Sequence, residues 1–147
     1  VLIAGCGSSR ASNVLHYGYK QPKPTVQEDL NTYMTQKFIP AMRKSFVDAG
    51  IDMKEDGDVA QIDGGFLISV KGQVFSVSED YSWDTDVRNV YVMGSGGDVA
   101  LGALAALGVE KVKTINQAET MVRKAIAIAI QYDNMCSEPI HIFKQFK

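Results

Sequence analysis

The sequence predicts a layered α/β domain, and three stretches carry that prediction. Residues 65–78 form two runs around Lys71-Gly72, the pattern of a two-strand hairpin on a tight turn. Leu30, Met34, Phe38, Met42 and Phe46 recur four apart, which gives an amphipathic helix one buried face. Residues 117–132 predict a second helix whose latter half is apolar nearly all round. Such a helix is covered on both sides, which suits a sandwich of layers better than an open bundle.

Taken in order, residues 1–6 predict a short buried strand, with Gly5 and Gly7 where the backbone turns or admits a close neighbour. The run is apolar from Val1 and has no initiator methionine, so processing has exposed this end or upstream residues are missing. Ser8-Ser9 caps a short helix to about Tyr17, with Val14, Leu15 and Tyr17 inward, stopped by Gly18 and Gln21-Pro22-Lys23-Pro24. Thr25-Val26-Gln27-Glu28 fits a capping box for the amphipathic helix, whose stripe is widened by Tyr33, Ile39, Ala41 and Val47. Pro40 inside that run removes a donor and crowds the carbonyl four residues earlier, predicting a kink or a split.

Residues 50–63 are acidic and predict a solvated loop before the hairpin. A polar connection, 79–86, leads to a third strand at 87–93. The turn Gly94-Ser95-Gly96-Gly97-Asp98 then opens a buried, alanine- and leucine-rich helix, 99–107, ended by Gly108. Thr114-Ile115-Asn116-Gln117 is a second capping box; it opens helix 117–132, with Met121, Val122, Ala125, Ile126, Ala129 and Ile130 on its apolar face. Residues 139–146 close the chain as a strand.

Composition narrows the function. At 147 residues, 46% hydrophobic and 22% charged, the chain fits one soluble domain spanning 1–147. A net charge of −2 supplies no field for a phosphate backbone, so no nucleic-acid partner is expected. The longest apolar stretch, 125–130, is too short to cross a membrane. Cys6 and Cys136 cannot build a disulfide framework and no secretory signal is visible, so a cytoplasmic location is the default. His16 and His141 stand apart, without zinc-site spacing, and neither a metal nor a cofactor is expected.

Two segments carry candidate chemistry. A glycine turn opening a helix is a ready anion site, but the turn at 94–97 lacks the Lys-Ser/Thr of a P-loop, and Asp98 occupies the place of a phosphate. Ser95 could instead be held at the corner with its hydroxyl aimed out of the sheet toward a reactive group; a turn kept only for tight packing is the alternative, and on this motif alone the packing reading is favoured. Asp133 follows the apolar helix, where the helix dipole disfavours a carboxylate, so it needs a specific partner. The plainer alternative, favoured without further context, is a turn aspartate bonding its own backbone.

The order of these pieces resembles the proteasome β-type family of N-terminal-nucleophile hydrolases over nearly the whole chain. Leu2-Ile3-Ala4-Gly5 with Gly7-Ser8 is similar to the strand after that family's catalytic lysine, and residues 65–78 to its central hairpin. Gly94-Ser95-Gly96-Gly97 with Ala100-Leu101-Gly102 resembles its Gly-Ser-Gly corner, and Tyr132-Asp133 with Cys136 its Asp-x-x-Ser motif. The resemblance implies a four-layer αββα sandwich, two antiparallel sheets between helix layers. It also implies amide hydrolysis of a peptide or protein substrate by an N-terminal threonine whose α-amino group is the base, and a ring-shaped homo-oligomer.

Carried over residue by residue, Gly5 would supply an oxyanion-hole N–H, and Ile3, Gly7 and Gly96 would line the substrate site. Ser95 and Asp133 would orient the terminal amine. Cys136 replaces the family's serine, a departure that weakens its hydrogen bond to this network. The first hairpin, with the threonine, an aspartate and the lysine, would precede Val1, making the domain N-terminally incomplete and the 147 residues by themselves inactive. The competing reading is a non-catalytic structural or interaction subunit; a small-molecule or nucleotide binder using the glycine corner comes third.

Overall fold

The structure, a computed structural model, describes residues 1–53 and 59–145. Its one sheet among those residues is antiparallel, in the order β1 (Leu2–Gly7), β2 (Gly64–Val70), β3 (Gln73–Val77), β4 (Trp83–Asp84). The hairpin forms as the sequence predicts: Val70 pairs with Gln73 across a two-residue turn in which Lys71 and Gly72 have φ of 49° and 81°. Positive φ at both turn residues matches the right-handed twist of the flanking strands. Period-two alternation puts Phe66, Ile68, Val70, Phe75 and Val77 on one buried face.

Three helical segments cover that face. Helix α1 (Ser9–Asn13) is capped by Ser8, whose Oγ accepts the Ala11 N–H at 3.3 Å, and runs into a π turn, Val14–Gly18. Leu15 is buried and Val14 packs on the core, but Tyr17 is exposed, against expectation. The wider i→i+5 spacing of the π turn carries its ring off the inward face. Helix α2 (Leu30–Tyr33), a π turn (Met34–Phe38) and α3 (Ile39–Asp48) form the long amphipathic run. The split predicted at Pro40 takes this form: the π turn lies just before it, and Pro40 occupies the first turn of α3, where a missing N–H needs no partner.

Tyr33, Met34, Phe38, Met42 and Phe46 are fully buried, while Val47 is exposed because it lies one residue beyond the stripe. The helix also starts later than predicted. Thr25 N–H does meet Glu28 Oε2 at 3.0 Å, but the cap is Asp29, which accepts the Thr32 N–H at 2.8 Å beside Leu30. Glu28 is drawn off to Lys37 at 2.6 Å.

Other expectations are corrected. Strand β1 is half-buried to exposed, because it is an edge strand. Of the loop at 50–63, residues 54–58 lie outside the described residues; Ala60 and Ile62 are buried in the core and Met53 bridges Gln61, so its ends are not solvated. Residues 87–93 form no strand. Asp86 takes the Arg88 N–H at 2.6 Å and its guanidinium at 2.7 Å, Asn89 turns with φ 52°, and the third pairing goes to Trp83–Asp84. Residues 139–145 are likewise unladdered, and Phe146 lies outside the described residues.

Helices α4 (Gly97–Ala106) and α5 (Ile115–Tyr132) pack on one another. Thr114 and Gln117 make both halves of the capping box at the start of α5. Only Gly97 and Leu104 of α4, and Ala125 and Ala129 of α5, are buried; neither helix is enclosed as the sequence suggests. A slot of ≈ 670 Å³ separates them from the outer face of the sheet, so their inner apolar side chains border open space.

Candidate active site

Strand register fixes the backbone of β1. Val70 and Gln73 close the two-residue hairpin, so Phe66, Ile68 and Val70 direct their amides and carbonyls at β3. Gly65, Leu67 and Ser69 therefore face β1, where they pair with Cys6, Ala4 and Leu2. Ser8 continues the alternation by donating its N–H to the Asp63 carbonyl at 2.8 Å. It follows that Ile3 and Gly5 turn their backbone groups away from β2, to the open edge of the sheet. Gly5 has a steric reason to be glycine as well: a Cβ there would lie 2.7 Å from the Phe66 ring, which floors the same edge.

The corner at Gly94-Ser95-Gly96-Gly97 and the end of α5 come together at the other side of β1. Gly94 packs near the Cys6 side chain, and Cys6 and Gly7 border the slot that Ser95, Gly96 and Cys136 also line. A Cβ at Gly96 would stand 2.6 Å from Cys136 Sγ and 3.3 Å from Asp133 Oδ2. Such close approach leaves no room for a side chain, so the glycine brings the two segments into contact.

Asp133 combines both readings of the sequence. Its Oδ1 accepts the Met135 N–H at 2.8 Å, the local aspartate turn, while Oδ2 accepts from Cys136 Sγ at 3.7 Å. The Ser95 hydroxyl is the largest influence holding the Asp133 carboxyl below the usual carboxylate range, followed by the Met135 N–H, with Cys136 adding to them. Ser95 itself is exposed, and among the described residues it has not closed a hydrogen bond of regular geometry onto Asp133.

The structure thus brings Ser95, Gly96, Asp133 and Cys136 together, with Gly7 on the same slot. Gly5 and Ile3 belong to a neighbouring groove of ≈ 560 Å³ along the open edge of β1, lined also by Ser12, Asn13, Leu15, His16, Gln21 and Phe66. The sequence reasoning did not single out Asn13, His16 or Gln21 for this groove. The available signal was that Ser12, Asn13 and His16 form the polar side of a short helix whose other side carries Ala11 and Leu15. Among the described residues no group of three His, Cys, Asp or Glu is arranged to hold a metal ion, and no helix is long and apolar enough to cross a membrane.

No family model matches the chain, and no curated protein matches it. Solved structures do. BPH from Thiobacillus denitrificans, in complex with epoxomicin, superposes with a TM-score of 0.64 at 17% identity, over 93% of this chain and 70% of that one. A second structure of Thiobacillus denitrificans BPH gives 0.62, at the same identity and over the same shares. Eukaryotic HslV from Trypanosoma brucei gives 0.53 at 19% identity, over 92% of this chain and 70% of its own. In fold, the chain is therefore similar to BPH and HslV over nearly all of its length.

Proposed function

We propose that this chain forms the body of a proteasome-subunit-like hydrolase that cleaves a peptide amide bond with an N-terminal Thr, Ser or Cys lying outside these 147 residues. The observation that carries the reading is the meeting of Ser95, Asp133 and Cys136 beside the end of β1, two residues from an amide at Gly5 that faces an open edge.

The chemistry follows from those groups. The nucleophile's hydroxyl or thiol attacks the amide carbonyl and passes its proton to its own α-amine. The Gly5 N–H receives the developing oxyanion, a donor worth roughly 3 kcal/mol in the transition state. The ammonium returns the proton to the leaving amine, and water then hydrolyses the acyl intermediate. Asp133, kept ionised, with Ser95 beside it, orients the amine through these steps.

The slot supports a two-sheet architecture in the whole protein. Residues 87–93 and 139–145 have no ladder partners, and Leu67 and Met93 face Leu104 and Ile126 across it. An added hairpin between those layers would give the extended segments partners and complete a four-layer αββα sandwich. The same reading includes a cytoplasmic homo-oligomer, ring-shaped by resemblance to the family, which sedimentation of the natural protein tests.

The deciding experiment treats the natural full-length protein with an epoxyketone and measures its intact mass. A single adduct on the N-terminal peptide is expected. Absence of any adduct on protein with its native start overturns the hydrolase reading in favour of the non-catalytic subunit, a reading to which the weak thiol donor at Cys136 already lends support.

A further inference from the structure

The residue of β1 assigned above to the oxyanion is also the one with the fewest restraints of its own. Ladder bonds to β2 hold Leu2, Ala4 and Cys6, while Gly5 turns both backbone groups to the open edge and has no side chain to bury. What it rests on is a ring. Phe66 stands opposite Gly5 as a non-hydrogen-bonded pair, the closer of the two kinds in an antiparallel ladder. Cδ1 and Cε1 of its ring lie 2.7 Å from the point where a Gly5 Cβ would be. That ring is itself backed: Phe66 is 1% exposed and stacks on the fully buried Phe46, with centroids 6.0 Å apart and planes inclined by 27°.

We infer that Phe66 is a positioning residue for the Gly5 amide: its ring, wedged between Phe46 and the glycine, fixes how far that N–H stands from the buried layer. The inference rests on the hydrolase reading above and adds the support of its oxyanion donor. A flat, rigid ring seats against a glycine and yields little, whereas a flexible apolar side chain fills the same space without fixing one height. Height matters because the donor acts on charge that develops in the transition state, and a misplacement of about 1 Å in such a group costs on the order of a hundredfold in rate. A ground-state carbonyl gains little from the same donor, so the loss falls on kcat rather than on KM.

The test uses the natural full-length protein and a fluorogenic peptide that the wild type cleaves, with Phe66→Met compared against Phe75→Met. Phe75 is buried on the same face but one strand further off, opposite Ile68 and against Trp83, so its variant reports the cost of losing a core ring alone. Phe66→Met is expected to lower kcat about tenfold with KM within about twofold of the wild type, and Phe75→Met to leave both within about twofold. Circular dichroism checks the folding of each, and Phe66→Leu takes the place of Phe66→Met if the latter does not fold. An unchanged kcat at Phe66, a loss carried by KM instead, or an equal fall at Phe75 overturns the positioning role and leaves the hydrolase reading standing. A wild type that forms no epoxyketone adduct overturns both.

Discussion

The thiol of Cys136 donates to Oδ2 of Asp133 across 3.7 Å, on the carboxylate that the Ser95 hydroxyl and the Met135 N–H hold below the usual carboxylate range. A thiol is a weak donor, and a hydroxyl in its place would make a shorter, stronger bond to the ionised form. Cys136→Ser is therefore expected to lower the pKa of Asp133 further, and Ser95→Ala to raise it more than Cys136→Ala does. Carboxyl chemical shifts followed through a pH titration check the order. The linkage sign is that of a depressed acid: whatever stability Asp133 contributes is present above its unfolded pKa and lost as pH falls through its folded one.

Gly96 tests whether the corner and the end of α5 are held together as tightly as they appear. A Cβ at this position meets Cys136 Sγ at 2.6 Å, and also Ala129 Cβ at 3.3 Å. The backbone conformation is ordinary, with φ −79°, so the penalty of Gly96→Ala comes from crowding alone. It should destabilise by about 1–3 kcal/mol. Adding Cys136→Ala removes the sulfur and should restore most of the loss, a coupling read from urea unfolding of the four proteins in the cycle.

How much of this was legible depended on whether a feature was local. The hairpin, the capping box at Thr114 and the split at Pro40 follow from turn chemistry, capping and a missing donor, all within a few residues. Strand predictions at 87–93 and over the described part, 139–145, of the closing run failed for a different reason: apolar, β-prone runs become strands only when a neighbour offers a ladder, and among the described residues none does. Of the site, the types and order of Gly5, Ser95, Asp133 and Cys136 could be read, but not that Gly96 sits against Cys136. That contact joins segments some forty residues apart, which no periodicity reports. The open-edge direction of the Gly5 amide likewise needs the register of two strand pairs.

Tyr81 ties β3's outgoing turn to the end of α3. Its hydroxyl donates to Asp52, a carboxylate only 8% exposed, and Arg43 approaches the same carboxylate at 3.4 Å while its guanidinium lies 5.6 Å from the Tyr81 ring centre. Burial first, and the Asp52 carboxylate second, push the Tyr81 hydroxyl far above its ordinary pKa, so it stays a donor through the working range. Tyr81→Phe keeps the ring over Arg43 and removes only the donor. A cost of about 1–3 kcal/mol is expected, because Asp52, in a nearly closed site, is left with Arg43 as its one partner among the described residues. Equilibrium urea denaturation measures it, and a change below about 0.5 kcal/mol would mean that water replaces the phenol without loss.

The segment after Pro139 makes up in side chains what it lacks in a ladder. Gln145 accepts from Ser69 Oγ at 2.8 Å and from the Gly72 N–H at 2.9 Å, and donates to the Ser69 carbonyl at 3.1 Å, while Lys144 meets Glu119 of α5 at 2.5 Å. Adjacent residues thus tie the outer end of the hairpin to the first half of α5, across the end of the molecule away from the corner. Gln145→Ala should cost about 1–2 kcal/mol and speed hydrogen exchange at the Gly72 amide, which loses its acceptor. The Lys144 end should respond to acid. Lys144 first and Arg123 second hold Glu119 below the usual carboxylate range, so its contribution is present above its unfolded pKa and disappears as pH falls through the lower folded value. Gln145 carries no titratable group, so lowering the pH should release Lys144 from Glu119 before it disturbs Gly72. Exchange at Gly72 that rises in step with Glu119 protonation would show instead that the two ties act as one unit.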